Sequence, residues 1–504
     1  MISIKYKNLR LATLTLLAIP ALIFFVSWIK LFVGIPFALL LISALVVCAR
    51  QEDDRVLNIK ASTLITVIAV IAVWAVLSGQ GGFFVQKADH DMRNVVFRDL
   101  INYSWPVRYA DGNDISLVYY VGYWLFPALF GKLGASVGGA EVGWLIGRIS
   151  LLLWSTVLIT VAFLLVCFYV GAARRKYVYT ALIVFILFSG MDAIGALFDP
   201  IRFTYHIEWW AANCFQFSSM STQLCWVFNQ AVPAWIATAL MLNEKDKSCY
   251  ALIGMLILSC SPLPFVGLAF FMLCLALKDF AVAVKGKTLN AFFREIITFP
   301  NIAALITLIP TFGLYYMNNT ASANTGSGDS SFIVPINIAT VIFYFLFIAL
   351  EFGILLLLLK NKENKTFAVI ITVSLVVFPI FRVGTEYDFC MRASIPALFV
   401  LMTMLIQYFI SYDKEKKTIA DKTADSAKSL KTKCVIVTLV FIIGCITPFV
   451  EYSSSFREFI SEGTQAIHKY DKLDSLNGMP IESCPNFLGE NSSDSLFYKT
   501  IGKS

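Results

Sequence analysis

Residues 60–99 read KASTLITVIAVIAVWAVLSGQGGFFVQKADHDMRNVVFRD. The apolar run over 61–79 carries no charge, which suits a helix crossing a hydrocarbon layer that takes about 20 residues to span. It stops at Gly79-Gln80-Gly81-Gly82, and Asp89, His90, Asp91, Arg93, Asn94, Arg98 and Asp99 then follow within eleven residues. Ionisable groups crowded at the mouth of a span are costly unless solvated or used. An apolar crossing followed by a dense polar mouth is the unit from which the rest of the chain is read.

Outward from this stretch the pattern recurs. Of 504 residues, 58% are hydrophobic and only 14% charged, about half the charged share of an ordinary soluble domain. Soluble enzymes, nucleic-acid binders and fibrous proteins are thereby excluded. Spans are expected at 11–29, 32–49, 61–79, 147–170, 177–197, 226–242, 298–316, 334–359, 367–382, 395–411 and 433–450. The predicted fold is all-α: a polytopic helical membrane protein with about 11 crossings (11–13). Two segments are ambiguous. Ile115–Gly131, rich in Tyr, Trp, Gly and Pro, suits an interfacial or partly inserted helix; Tyr250–Leu277 is broken by Ser259-Cys260-Ser261-Pro262-Leu263-Pro264 and suits a re-entrant pair. The eleven cysteines form no CxxC, so neither zinc nor a disulfide framework is indicated.

Charge sets the expected orientation. Lys5, Lys7 and Arg10 precede the first apolar stretch without a small-residue cleavage site, as in a signal anchor. With both ambiguous segments non-crossing, the loops on the N-terminal side and the N-terminus together hold 25 of the 40 Lys and Arg, in keeping with the positive-inside rule. The expected location is the inner (plasma) membrane, with the N-terminus cytoplasmic and the C-terminus outside. The net charge of +7 then serves topology and calls for no nucleic acid. Residues 1–60 hold two additional spans and a cytoplasmic loop, 61–412 the core, 413–432 a basic loop, and 433–504 the last span and an outer tail.

Three outer clusters carry candidate chemistry. In the first, Asp89 and Asp91 are expected to line an outward-facing cavity, one as a catalytic base and its neighbours as base-orienting or metal-holding groups; a plainer reading is an interfacial helix capped by Asp91. In the second, Asp192, Asp199, Arg202, His206, Glu208, Trp209, Trp210 and Trp226 mix acids, one of only three His, and rings that stack on sugars or anchor at an interface. The third is Arg392 beside Asp388 and Glu386; its planar fork suits a phosphate, and an Arg392–Asp388 ion pair at i,i+4 is compatible with that. Inside the spans, Glu351 is the clearest ionisable residue. No spacing of ligands supports a metal, although a divalent ion stays open.

This layout resembles the GT-C superfamily of integral-membrane glycosyltransferases: a long first outer loop with interfacial helices and an Asp just after a span, a second acid in the next outer loop, and a late Arg. The matching positions are Asp89 or Asp91, Asp192 or Asp199, and Arg392, and YYVGYWLFPALFGKLG at 119–134 is similar to the segment following that loop. The strings GQGGF, EWWA, WVFNQ and RASIPALF are similar to those of bacterial membrane proteins; WWDxG and HPPxGK strings are absent. The resemblance covers roughly 60–412. It implies transfer of a sugar from a polyprenyl-phosphate donor to a glycan, lipid or protein acceptor by an inverting displacement. Asp89 or Asp91 would act as base, Lys87, Arg93, Arg98, Arg202 and Arg392 would hold phosphate, Asp192, Asp199, His206, Glu208 and Asn94 would support, and Trp209, Trp210 and Trp226 would bind acceptor. A polysaccharide polymerase or ligase, and a lipid-linked saccharide transporter or flippase, are the competing classes.

Overall fold

The computed structural model describes residues 1–109, 114–198, 200–203, 206–211, 214–320, 333–334, 337–383, 388–416 and 424–503. The protein is a polytopic helical membrane protein. Among the described residues, ten helices are long and apolar enough to span a bilayer, and two shorter apolar helices, Ala61–Leu77 and Lys365–Ile380, accompany them. Nine of the ten, with the two shorter ones, match the eleven expected crossings. The tenth, Pro262–Lys285, belongs to the broken segment.

That segment doubles back. A short helix Tyr250–Leu256 ends in turns, and the chain returns through Pro262–Lys285, with prolines in its first turn. Lys247, just before the pair, forms ion pairs with Asp279 near its far end and with Glu295 beyond it at 3.4 Å. Both ends therefore lie at one end of the bundle. The non-helical backbone at 257–261 is covered by protein, as irregular backbone at membrane depth requires: Ser259 O accepts from Gly122 N at 2.9 Å and Ser261 Oγ donates to Gln230 O at 2.8 Å.

The first long loop is more buried than an interfacial reading expects. Its helix His90–Asn102 buries Val95, Val96, Phe97, Leu100 and Ile101 against protein rather than lipid. The segment after it starts as a strand, Ile115–Leu117, and continues as the helix Gly122–Gly138, which turns at Gly139 into the 31-residue helix Ala140–Val170. The two arms touch through glycines, since a Cβ on Gly143 would stand 2.9 Å from Gly131 O. At about 46 Å the longer arm outruns a hydrocarbon core of about 30 Å, so one end stands clear of it. Leu129, Phe130, Leu133 and Val137 remain exposed along the shorter arm, as a lipid-facing stripe would.

Among the described residues, two small antiparallel sheets close the ends. At one end Ile2–Lys5 pairs with Val56–Ile59. At the other, Arg108–Tyr109, Ile115–Leu117 and Leu488–Gly489 form three strands, so the C-terminal tail is built into the first long loop. The tail also reaches the first helical hairpin, where Lys503 N donates to Trp28 O at 2.8 Å and Lys30 N to Ile501 O at 2.8 Å.

At the end bearing the first sheet, Arg10 of the helix Tyr6–Ser27 meets Glu244 through two bonds of 2.6 and 2.7 Å and donates to Cys48 O at 2.8 Å. Both side chains are almost fully buried. Removing one partner of such a pair leaves an uncompensated charge. Glu244→Gln is expected to destabilise the protein by about 3–5 kcal/mol, and Arg10→Met with Glu244→Leu by much less, measured by denaturation in detergent micelles.

Candidate functional site

The turn Gly79–Gly82 ends the Ala61–Leu77 helix abruptly, because Gly79, Gly81 and Gly82 all have positive φ, where a side chain would be strained. Arg148 fixes it by donating to Gly81 O at 2.6 Å and to Gly82 O. The chain then climbs into the helix His90–Asn102, whose stripes separate its polar residues. Asp89 and Arg93, four apart, face a cavity; Asn94 and Arg98, four apart on the next stripe, face the tail.

The cavity is about 680 Å³ and takes residues from eight stretches of chain. One wall carries charge. Asp89, with its side chain 42% exposed, accepts from Arg93 Nη2 at 2.8 Å, and the buried Arg93 also donates to Trp226 O. Across the space Arg392, 6% exposed, pairs with Asp388. Burial works against the Arg392 charge, but the Asp388 carboxylate outweighs it and raises the guanidinium's pKa; Arg392 Nε has no hydrogen-bond partner among the described residues. Gly267 allows the Pro262–Lys285 helix to approach this point, since a Cβ there would stand 1.9 Å from Ala393 O. A second wall is aromatic and amide-rich: Tyr119, Tyr120 and Phe487 cluster, with Tyr119 centroids 3.8 Å from Tyr120 and 4.5 Å from Phe487, beside Asn319 and Asn486.

A polar network closes a third side. His206 lies between Trp209 and Trp226, at centroid distances of 5.2 and 5.4 Å. The Gln216 amide donates to His206 Nε2 at 3.0 Å and to Glu208 at 3.0 Å, which leaves Nδ1 to carry the imidazole proton toward Glu451 at 3.8 Å. Burial lowers the His206 pKa. Burial, and then the nearby Asp192 charge, push the Glu208 carboxyl upward. Glu451 also binds Lys87 at 2.9 Å and Trp226 Nε1 at 2.8 Å.

Of the residues singled out in the sequence, Asp89, Arg93, His206, Trp209, Trp226 and Arg392 line the cavity. Glu208 stands one hydrogen bond behind it, through Gln216, and Lys87 two contacts behind it, through Glu451 and Trp226. The others lie elsewhere. Asp91 does not cap the helix: Asp89 occupies the N-cap position, without a side-chain capping bond, and Asp91 faces Lys472. Asn94, expected as a polar support, binds Gln86 and Tyr470 O at 2.8 Å each, and Arg98, expected at a phosphate, binds Asp471 at 2.6 Å beneath Trp144, so both hold the tail. Arg202 donates to Ile207 O and stacks over Trp210 at 4.7 Å. Trp210 is buried against Phe347 and donates to Asp192 at 3.2 Å, which removes it from any acceptor surface. Asp192 itself is sealed in the bundle. Asp199 and Glu386 lie outside the described residues.

Sequence reasoning missed Glu451 and the tail residues Asn486 and Phe487. Glu451 repeats the opening signature, a carboxylate immediately after an apolar run, but the helix continues past it to Glu462. Among the described residues no three His, Cys, Asp or Glu are arranged to hold a metal.

Comparison with family models, with curated proteins and with solved structures gives no match.

One histidine behind the cavity fixes a pH response. His90 stacks on Phe228, and its ring nitrogens meet Gln86 at 3.0 Å and Cys225 O at 2.9 Å. Burial, helped by the Arg93 charge, pushes its pKa from 6.5 down to about 4. The native state keeps His90 neutral while the unfolded state takes a proton below its ordinary pKa, so stability falls as pH drops. The loss is expected between pH 6.5 and about 4 and should total about 3 kcal/mol. Denaturation midpoints measured across this range should show the slope, and His90→Gln should flatten it.

Proposed function

We propose that the chain is a GT-C-like membrane glycosyltransferase that moves a hexosyl or pentosyl group from a polyprenyl-phosphate donor to a glycan, lipid or protein acceptor. The carrying observation is one cavity that holds a solvent-reachable carboxylate, Asp89, within electrostatic reach of the buried cation Arg392. The reaction needs that combination. The acceptor hydroxyl oxygen bonds to the anomeric carbon, the anomeric C–O bond breaks with its electrons going to polyprenyl phosphate, and the hydroxyl proton passes to Asp89. Arg392 and Arg93 stabilise the charge that gathers on the departing phosphate.

Asp388 replaces Asp192 as the second acid at the cavity and holds Arg392 in place. Trp209, Trp226 and His206 suit the faces and hydroxyls of a saccharide, while Lys87 keeps Glu451 charged behind them. In this reading the cavity faces the outside of the plasma membrane, the basic end of the bundle is cytoplasmic, and no divalent metal is assigned. A polysaccharide polymerase or ligase would use the same groups with a longer acceptor. A lipid-linked saccharide transporter is favoured by one feature, the helix break whose Pro262 and Leu263 line the cavity; it would move donor without cleaving it.

The test offers polyprenyl-phosphate hexoses and pentoses, with membrane glycan extracts as acceptors, to the protein in nanodiscs and measures released polyprenyl phosphate. Asp89→Asn is expected to lower release by about 10²–10⁴-fold at unchanged fold, and Asp91→Asn to leave it near wild type. Release unaffected by Asp89→Asn, or donor translocation without release, overturns the reading.

A further inference from the structure

Asp192 and Glu351 lie away from the cavity, and the proposed sugar transfer makes no use of them. Asp192 is fully buried and its carboxylate accepts from Ser189 Oγ at 3.2 Å, Thr447 Oγ1 at 3.1 Å and Trp210 Nε1 at 3.2 Å. Glu351 is 2% exposed and sits in a five-residue π turn, Ala349–Gly353, inside the span Ile338–Leu359. Single π turns within α-helices are frequent at functional sites. Neither Glu351 oxygen meets a hydrogen-bond donor among the described residues.

The side chain is nevertheless aimed. Glu351 Oε2 lies where a Cβ on Gly190 would be only 2.0 Å away, two residues before Asp192, and Met191 N donates to Leu350 O at 3.3 Å. The two carboxyls thus face each other inside the bundle. The ionisable groups facing them from neighbouring segments are Arg202, Glu208 and the Cys390 thiol. One guanidinium against three carboxyls leaves an excess of acid, and two adjacent carboxylates in a low dielectric cannot both stay ionised. The donors settle which one does. Three of them converge on Asp192 and favour its anion, whereas Glu351, offered none, is best served as the neutral acid, whose O–H finds an acceptor in Asp192.

We infer that Asp192 and Glu351 form a proton-binding site within the membrane-spanning bundle, with Glu351 holding the proton and Asp192 accepting its hydrogen bond. On the cavity side the group nearest to this pair is Glu208, which accepts from the cavity-lining Gln216 at 3.0 Å. The site is independent of the sugar-transfer reading: an ionised Glu351 would overturn it and leave the Asp89 chemistry untouched.

The test is an infrared difference spectrum, wild type minus Glu351→Gln, of the full chain in nanodiscs at neutral pH. The expected result is loss of one protonated carboxylic-acid carbonyl band with the carboxylate bands unchanged, and a shift of that band in Asp192→Asn. Loss of carboxylate bands instead would overturn the site. If Glu351→Gln fails to fold, wild type is treated with dicyclohexylcarbodiimide, an apolar reagent for protonated carboxyls, and read by peptide mass spectrometry. An adduct on Glu351 supports the site; a Glu351 peptide that is modified only after unfolding overturns it.

Discussion

Moving a guanidinium or a carboxylate out of water costs several kcal/mol per ion unless an opposite charge meets it, and in this chain those meetings decide which segments become neighbours. Arg10 with Glu244 fastens the first helix to the end of the Met220–Asn243 span; Lys87 with Glu451 joins the first long loop to the last long helix; Arg98 with Asp471 ties the same loop to the tail. Around the cavity the pairs are local, Asp89 with Arg93 and Asp388 with Arg392, each four residues apart. Remote pairs assemble the bundle, and local pairs keep charges in place at its mouth without consuming both faces of the carboxylate or the fork.

The helical fold was legible because a bilayer imposes a length on apolar runs, and every expected crossing corresponds to an apolar helix. Ends were read less well where capping outweighed hydropathy. The helix expected from 226 is preceded by a further helical piece that starts at Met220, where Ser219 Oγ accepts from Thr222 N at 3.0 Å, and the two join at a kink at Val227 (φ −136°, ψ 33°). The break at 259–264 was visible in its Ser, Cys and Pro content.

The lining of the cavity was half legible. Asp89, Arg93, His206 and Arg392 were found because ionisable residues stand out against apolar sequence. Asp192, Trp210 and Arg98 looked identical on that measure, and packing sent them elsewhere: periodicity tells which residues share a face, not what that face meets. Trp210 illustrates the limit. It adjoins Trp209 in sequence, yet successive residues point apart, so one ring borders the cavity while the other is walled in with Phe347 and Asp192.

The cavity draws one wall from the stretch just after the Ala61–Leu77 helix and another from Asn486 and Phe487, beyond the last long helix. During synthesis the first of these emerges while most of the spans are still to be made, and it must wait until every later helix has been made and the tail has paired with the first long loop. A ribosome stalled anywhere before the tail would leave a membrane-embedded chain lacking a wall. The order of translation thus acts as a safeguard: a complete cavity exists only in a chain whose synthesis has run through residue 487.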